Sequence, residues 1–156
     1  MDANVLTSSF QLAVANNAGF VAWCVEKYNS EPVVQVGLNL EDPPDGYNYP
    51  LVAISFATKR GGLGSDRETL LYAVSFAILD DAAPDVDGKL KTYRQVVDLE
   101  EGRQLLVKAL ASADLDGGQF GEIEVENDPV EFFPIFSTNM AIPVTRPYVF
   151  REDKLI

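Results

Sequence analysis

The chain has 156 residues, 47% of them apolar, which is typical of one folded domain with its own core. It has no histidine and one cysteine, which excludes His-ligated zinc, the Ser-His-Asp triad and an internal disulfide. A net charge of −12 disfavours binding to nucleic-acid phosphates. No apolar run reaches the ~18 residues of a membrane span, so we expect no interaction with a membrane.

The first predicted element is a helix over residues 3–28. Its apolar residues recur every three or four positions and predict one buried stripe. Asn16, Asn17 and Gly19 weaken the middle, so two helices with a kink are an alternative. We expect Cys24 to pack in the core, because no histidine is present to activate it. The stripe comprises Leu6, Phe10, Val14, Ala18, Val21, Val25 and Tyr28.

Two strands are predicted next, at Val33–Leu40 and Leu51–Thr58, because apolar residues alternate along both. Between them, Glu41–Pro50 is rich in proline and acidic residues and is predicted to be a loop. The alternating faces comprise Val34, Val36, Leu38 and Leu40 in the first strand, and Val52, Ile54 and Phe56 in the second.

A glycine-rich basic segment, Lys59–Arg67, follows the second strand. Three glycines and three bases in nine residues predict a flexible hairpin loop. The glycine spacing does not fit a phosphate-binding loop. Our functional hypothesis is a tip that contacts an oligomer partner or a tube, and the alternative is a turn without a partner. The contact residues of this hypothesis are Lys59, Arg60, Gly61, Gly62, Leu63, Gly64 and Arg67.

The segment Glu68–Asp80 gives the longest strand pattern. One face carries large apolar residues, and the opposite face is half apolar, which indicates that a neighbour covers part of it. We expect helices to bury the first face. The expected core comprises Phe56, Tyr72, Val74 and Phe76 on strands, and Val14, Val21, Leu106 and Leu110 on helices.

In the C-terminal half, Asp81–Val97 is predicted to be a polar connection. A helix is predicted to begin at Asp98, where Glu101 completes a capping box. A short strand is predicted over Phe120–Glu126, followed by a turn over Asn127–Pro134. The last strand is predicted over Ile135–Thr145. Two further features are Glu122, Glu124 and Glu126 sharing one face, and Pro143 marking an edge strand or a bulge.

The predicted order is α-β-β-β-α-β-β, which indicates an α+β fold. We expect a mixed or antiparallel sheet with two helices packed on it. Residues 1–148 form the predicted single domain, and residues 149–156 are a C-terminal tail.

The motifs that carry chemistry are weak in this chain. Asp114–Gly118 resembles a calcium loop, but its fifth and sixth positions are Gly118 and Gln119, which the loop does not allow. The three glutamates of the acidic strand need no catalysis to explain them. We therefore expect no catalytic residue, no metal site and no cofactor.

The order of elements resembles the tail terminator, or tail completion, proteins of long-tailed bacteriophages. The resemblance begins with the N-terminal helix and the strand Tyr49–Phe56, which reads Tyr-Pro-Leu-Val-Ala-Ile-Ser-Phe. It continues through the hairpin Lys59–Arg67, the long strand Leu70–Ile78 and a helix over Glu100–Ala113. It closes on an acidic strand pair that ends in Phe136–Val144, so that residues 1–148 are covered.

The resemblance implies a structural protein of the virion tail, assembled in the host cytoplasm, rather than an enzyme. Such proteins form a hexameric ring that caps the tail tube, stops its polymerisation and presents the surface for head attachment. The implied partners are further copies of the chain, the tail tube protein and the head–tail connector protein. DNA would pass the ring without specific binding.

Three other functions remain open at this point. A head–tail stopper or neck protein would belong to the same machine. A small soluble protein-binding module would share the composition without forming a ring. An enzyme is a third alternative, although the chain has no histidine and no cofactor motif.

Overall fold

A computed structural model describes residues 3–37, 49–127 and 133–148 of the chain. Within these ranges the fold is α+β, which confirms the predicted class, with three helices rather than two. The elements are α1 Ala3–Ala15, α2 Ala18–Tyr28, β1 Val33–Val36, β2 Leu51–Gly61, β3 Arg67–Leu79, β4 Asp85–Asp87, β5 Leu90–Thr92, α3 Arg94–Ala111, β6 Gln119–Phe120, β7 Glu124–Asn127 and β8 Ile135–Pro147.

The main sheet has the strand order β1-β2-β3-β8-β6, and β7 also pairs with β8. β1 and β2 are parallel, and the other pairs of this sheet are antiparallel. β4 and β5 form a separate two-stranded ribbon. The sequence did not predict this ribbon, because it lies in the polar connection Asp81–Val97.

The N-terminal helix is interrupted, as the alternative of two helices allowed. The Asn17 side chain accepts a hydrogen bond from the Phe20 backbone N–H at 2.9 Å and caps α2. The new start rotates the apolar face, so the single predicted stripe is wrong at Ala18 and Val25, whereas Tyr28 packs against the core as predicted. α2 buries Phe20, Trp23 and Cys24, whereas Ala18 and Val25 are exposed.

The third helix begins at Arg94, one turn before the predicted Asp98 capping box. Its first turn is fixed by a tertiary contact instead of a side-chain cap. The Gln95 amide is fully buried and donates to the backbone carbonyls of Asp80 at 3.3 Å and Ala82 at 2.8 Å. These bonds anchor the helix start to the chain that leaves β3, which local sequence patterns do not reveal.

The helices cover one face of the sheet and bury its apolar residues. Tyr72, Val74 and Phe76 are at most 1% exposed, as predicted. Two members of the expected core are wrong: Phe56 is 39% exposed, and Val21 is only half-buried. The confirmed helical partners are Val14, Leu106 and Leu110.

The predicted strand Phe120–Glu126 is in fact two short strands, β6 and β7, both paired with β8. β8 therefore lies inside the sheet and is not an edge. The Gly121 N–H donates to the Pro143 carbonyl at 2.8 Å, so the side of Pro143 that lacks an N–H faces the gap between β6 and β7. Pro143 is tolerated there because no strand pairs at that point.

Several predictions fall outside the described residues. These are the end of the first predicted strand, with Leu38 and Leu40, and most of the predicted loop before Pro50. Residues 128–132 of the predicted turn and the predicted tail 149–156 also lie outside the described residues.

Candidate interaction surface

The predicted contact residues of Lys59–Arg67 lie in two regular strands and a tight turn. Lys59, Arg60 and Gly61 end β2, and Arg67 begins β3. The flexible loop predicted over all nine residues is therefore too long. Only residues 62–66, which include Gly62, Leu63 and Gly64, form the turn.

Backbone hydrogen bonds hold the turn in place. Ser65 N–H donates to the Gly62 carbonyl at 2.8 Å, and Tyr148 N–H donates to the Asp66 carbonyl at 2.9 Å. Gly61 has a φ of 92°, and a Cβ there would lie 2.2 Å from the Arg67 carbonyl oxygen. At the end of the turn, Leu63 is 78% exposed, more than any other large apolar residue that the structure describes.

A β-bulge decides which way the two basic side chains of β2 face. The pairing of β2 with β3 shifts between Phe56 and Thr58, which reverses the alternation of the following residues. Lys59 then pairs with Leu70 on the helix-covered side, and Arg60 pairs with Thr69 on the other side. Neighbouring strand residues always face opposite sides, and the bulge therefore decides that Lys59, rather than Arg60, lies on the helix side.

On the helix side, Lys59 joins a buried ion cluster. The Glu68 side chain is 5% exposed, receives a hydrogen bond from Arg146 Nε, and lies 3.1 Å from Lys59 Nζ. Burial would raise the pKa of Glu68, but the hydrogen bonds and charges of Arg146 and Lys59 outweigh it and hold the pKa below its usual value. Lys59 Nζ also lies 5.9 Å from the centroid of the Tyr148 ring.

This cluster locks the outer ends of three strands together. Glu68 lies on β3, Arg146 on β8 and Lys59 on β2. The pairing of Glu68 with Arg146 was not predicted from the sequence, since the two residues are separated by 78 positions and by the whole of α3. The only sign of this pair in the sequence is that each strand pattern contains one charged residue at a position where an apolar residue is expected.

On the opposite face of the sheet, the residues of β3 and β8 are half-buried or exposed, whereas Leu51 and Ala53 at the start of β2 are buried. Register places Ala73 beside Ala141 and Leu71 beside Pro143, forming a floor of small and apolar residues. Polar pairs flank this floor: Thr69 with Thr145, whose hydroxyl oxygens are 3.1 Å apart, and Ser75, which donates to Asn139 Oδ1 at 2.7 Å. We call this surface, with its charged rims, the open face.

Charge is divided across the open face. Arg60 projects from the β2 side, and Glu124 and Glu126 project from β7, where they pair with Ala141 and Asn139. A depression of about 310 Å³ lies between these rims, and a second of about 620 Å³ lies along the glutamate rim; the two share Glu124 and Ala141 as lining residues. Glu122 also lines the smaller one, so the three predicted acidic residues all border the open face.

Two further properties concern the chemistry of the described residues. No group of three or more Cys, Asp or Glu side chains among them is placed to hold a metal ion. Burial raises the pKa of the Cys24 thiol to about 12, so this sulfur is unreactive at neutral pH. The arrangement offers an apolar floor, two charged rims and an exposed leucine.

No helix among residues 3–37, 49–127 and 133–148 is both long enough and apolar enough to span a bilayer. Sequence comparison gives no relative: no family model matches the chain, and no curated protein matches it significantly.

Proposed function

We propose that this chain is a structural subunit of a long-tailed phage, a tail terminator that assembles into a hexameric ring on the end of the tail tube. The resemblance in the order of elements along residues 1–148, described above, is the reason for proposing this family. The open face is the structural observation that supports it, because its β3 and β8 residues stay half-buried or exposed while the described helices bury the other side of these strands. A subunit that works inside an assembly needs such an uncovered surface.

The chemistry of the surface supports a structural role. Its polar groups form hydrogen bonds within the sheet, as Ser75 and Asn139 do, and its charged groups stand at the rims. Rims of charge around an apolar centre are typical of protein–protein contacts. The ring would cap the tube, end its growth and present a surface to the head connector.

The experiment is a capping assay with a tail tube protein, which the proposal expects to be encoded near this chain. Tube protein is polymerised alone and with increasing amounts of this protein, and tube length is measured by electron microscopy. Capping predicts shorter tubes with a ring at one end, and a particle of about six times the 17.1 kDa subunit mass. Tubes of unchanged length without rings would refute the proposal.

A small protein-binding module is the second candidate, because the same open face could receive a different protein in a monomeric chain. Light scattering over a range of concentrations separates the two. A mass that rises with concentration towards a hexamer supports the ring, whereas a constant monomer mass at high concentration supports the binding module.

A further inference from the structure

We propose that the open face of one copy receives the β2–β3 turn of a second copy, with Leu63 on the apolar floor and Arg67 against the glutamate rim. This inference rests on the proposed function, since it names the contact through which copies of the chain associate. Three observations support it: the exposure of Leu63, the opposite charges of the turn and the glutamate rim, and the fixed conformation of the turn.

Exposure identifies the turn as the inserting element. Leu63 is 78% exposed and stands at the end of a turn whose flanking residues, from Phe56 to Arg67, are exposed except at Gly62. In this position the leucine side chain buries little apolar area within its own subunit, so it contributes little to the stability of that subunit. The floor around Ala73 and Ala141 offers apolar surface without bulky side chains.

Charge identifies the acceptor. Segment 59–67 carries three of the chain's 12 basic residues and one acidic residue, and Arg60 and Arg67 form no ion pair with the residues that the structure describes. Glu122, Glu124 and Glu126 border the depressions and are equally unpaired within the described part of the chain. Bringing the turn to this rim places arginines beside carboxylates.

The turn is already ordered in the single subunit, which lowers the entropic cost of binding. The turn is held by hydrogen bonds from Ser65 and Tyr148, and the Lys59–Glu68–Arg146 cluster locks its base. A preformed turn loses less conformational entropy on binding than a flexible loop.

Two rival contacts are less complementary. The exposed β4–β5 ribbon carries Val86 and Leu90, but its residues 85–92 hold two aspartates and two lysines and so have no net charge. Direct packing of two open faces would bring six glutamates together against two copies of Arg60. Such an excess of like charge opposes that arrangement.

The contact is heterologous: the surface that inserts differs from the surface that receives. Each copy therefore offers one turn and one open face, and copies can associate in series. A series closes into a ring when the rotation between neighbours permits it.

The first test is cysteine cross-linking between copies of the full chain. Leu63→Cys and Ala141→Cys proteins are oxidised separately and as a mixture, with buried Cys24 retained. We expect a disulfide-linked dimer only in the mixture. Cross-linking of Ala141→Cys alone would show face-to-face packing, and cross-linking of Leu90→Cys with Ala141→Cys would show insertion of the ribbon. Either result, or the absence of any cross-link, overturns the proposal.

The second test is a charge exchange read by sedimentation. Arg67→Glu and Glu124→Arg should each weaken self-association at least about tenfold, and the double variant should recover it. Glu26→Arg, an exposed charge reversal on α2, is the matched control and should leave association unchanged. Singles that associate normally, or a double variant weaker than both, would overturn the contact.

The two proposals fail in distinguishable ways. Association that needs Arg67 and Glu124, without any effect on tube length, would retain the contact and reject the tail terminator. Tube capping that both single variants perform normally would retain the terminator and reject the contact.

Discussion

At the scale of single residues, Glu68 is the most consequential polar group of the described core. It is buried, and its carboxylate compensates Arg146, which is itself 9% exposed. A buried charge that loses its partner is costly, whereas the half-exposed Lys59 can return to water. The three members of the cluster should therefore respond differently to substitution.

We predict that Glu68→Gln lowers the free energy of unfolding by about 3–5 kcal/mol at pH 7, because Arg146 is left buried without a compensating charge. Lys59→Met is the control and should cost about 0–1 kcal/mol, as expected for a partly exposed pair. Urea denaturation followed by circular dichroism measures both. Equal losses in the two variants would contradict the assignment of Glu68 as the centre of the cluster.

The same carboxylate makes stability depend on pH. The folded-state pKa of Glu68 is lowered from 4.5, so its stabilisation is complete above that value and is lost as the pH falls through the folded-state pKa. The stability of the native protein should therefore fall more steeply below pH 4.5 than that of Glu68→Gln. Parallel curves for the two proteins would show that Glu68 is not held in its charged form.

At the scale of elements, the fold depends on one close approach between α3 and the sheet. Gly102 is buried, and a Cβ at this position would lie 2.5 Å from Trp23 Cη2 and 2.8 Å from Phe76 Cε1. Both aromatic side chains are themselves packed, and the Phe76 and Trp23 rings lie 6.1 Å apart. Neither ring can therefore move aside without disturbing the core.

Gly102→Ala is predicted to destabilise the protein by about 1–3 kcal/mol through overpacking, even though alanine favours helices by about 1 kcal/mol over glycine. Val97→Ala, at a position 57% exposed on the same helix, should change stability little. Thermal unfolding of the two variants compares them directly. A stabilised Gly102→Ala protein would mean that α3 does not approach Trp23 and Phe76 this closely.

At the scale of the whole molecule, charge is distributed unevenly. The net charge is −12, and the open face carries the acidic rim while basic residues gather at the β2–β3 turn. A strongly acidic protein repels duplex DNA at long range, and local basic groups add little attraction once salt screens them. In the proposed ring, this repulsion would allow DNA to pass without being retained.

We therefore expect no binding of a 30-base-pair duplex, chosen to span roughly three helical turns, at about 0.15 M salt, where screening acts over about 8 Å. Fluorescence anisotropy of labelled DNA provides the measurement. The Glu122→Lys, Glu124→Lys, Glu126→Lys triple variant serves as a comparison and should bind more strongly. Tight binding by the unmodified protein would argue against a ring that DNA crosses freely.

The sequence alone determined the fold class, the long strands and their buried sides. Alternation at Leu70–Ile78 and Phe136–Val144 predicts which side chains the core takes, and these residues are buried. It also indicated the basic turn and the acidic strand, since composition marks both. Local periodicity suffices there because one side of each strand must leave water.

Only the tertiary structure decided how these parts meet. The bulge after Phe56 turns Lys59 towards Glu68 and Arg60 towards the open face. The start of α3 depends on Gln95 and the chain after β3, and the partners Glu68 and Arg146 lie 78 positions apart. A one-residue shift in pairing reverses every following side chain, and contacts between distant segments leave no local pattern. The sequence could therefore name the charged residues of the surface, but the fold determined which of them face one another.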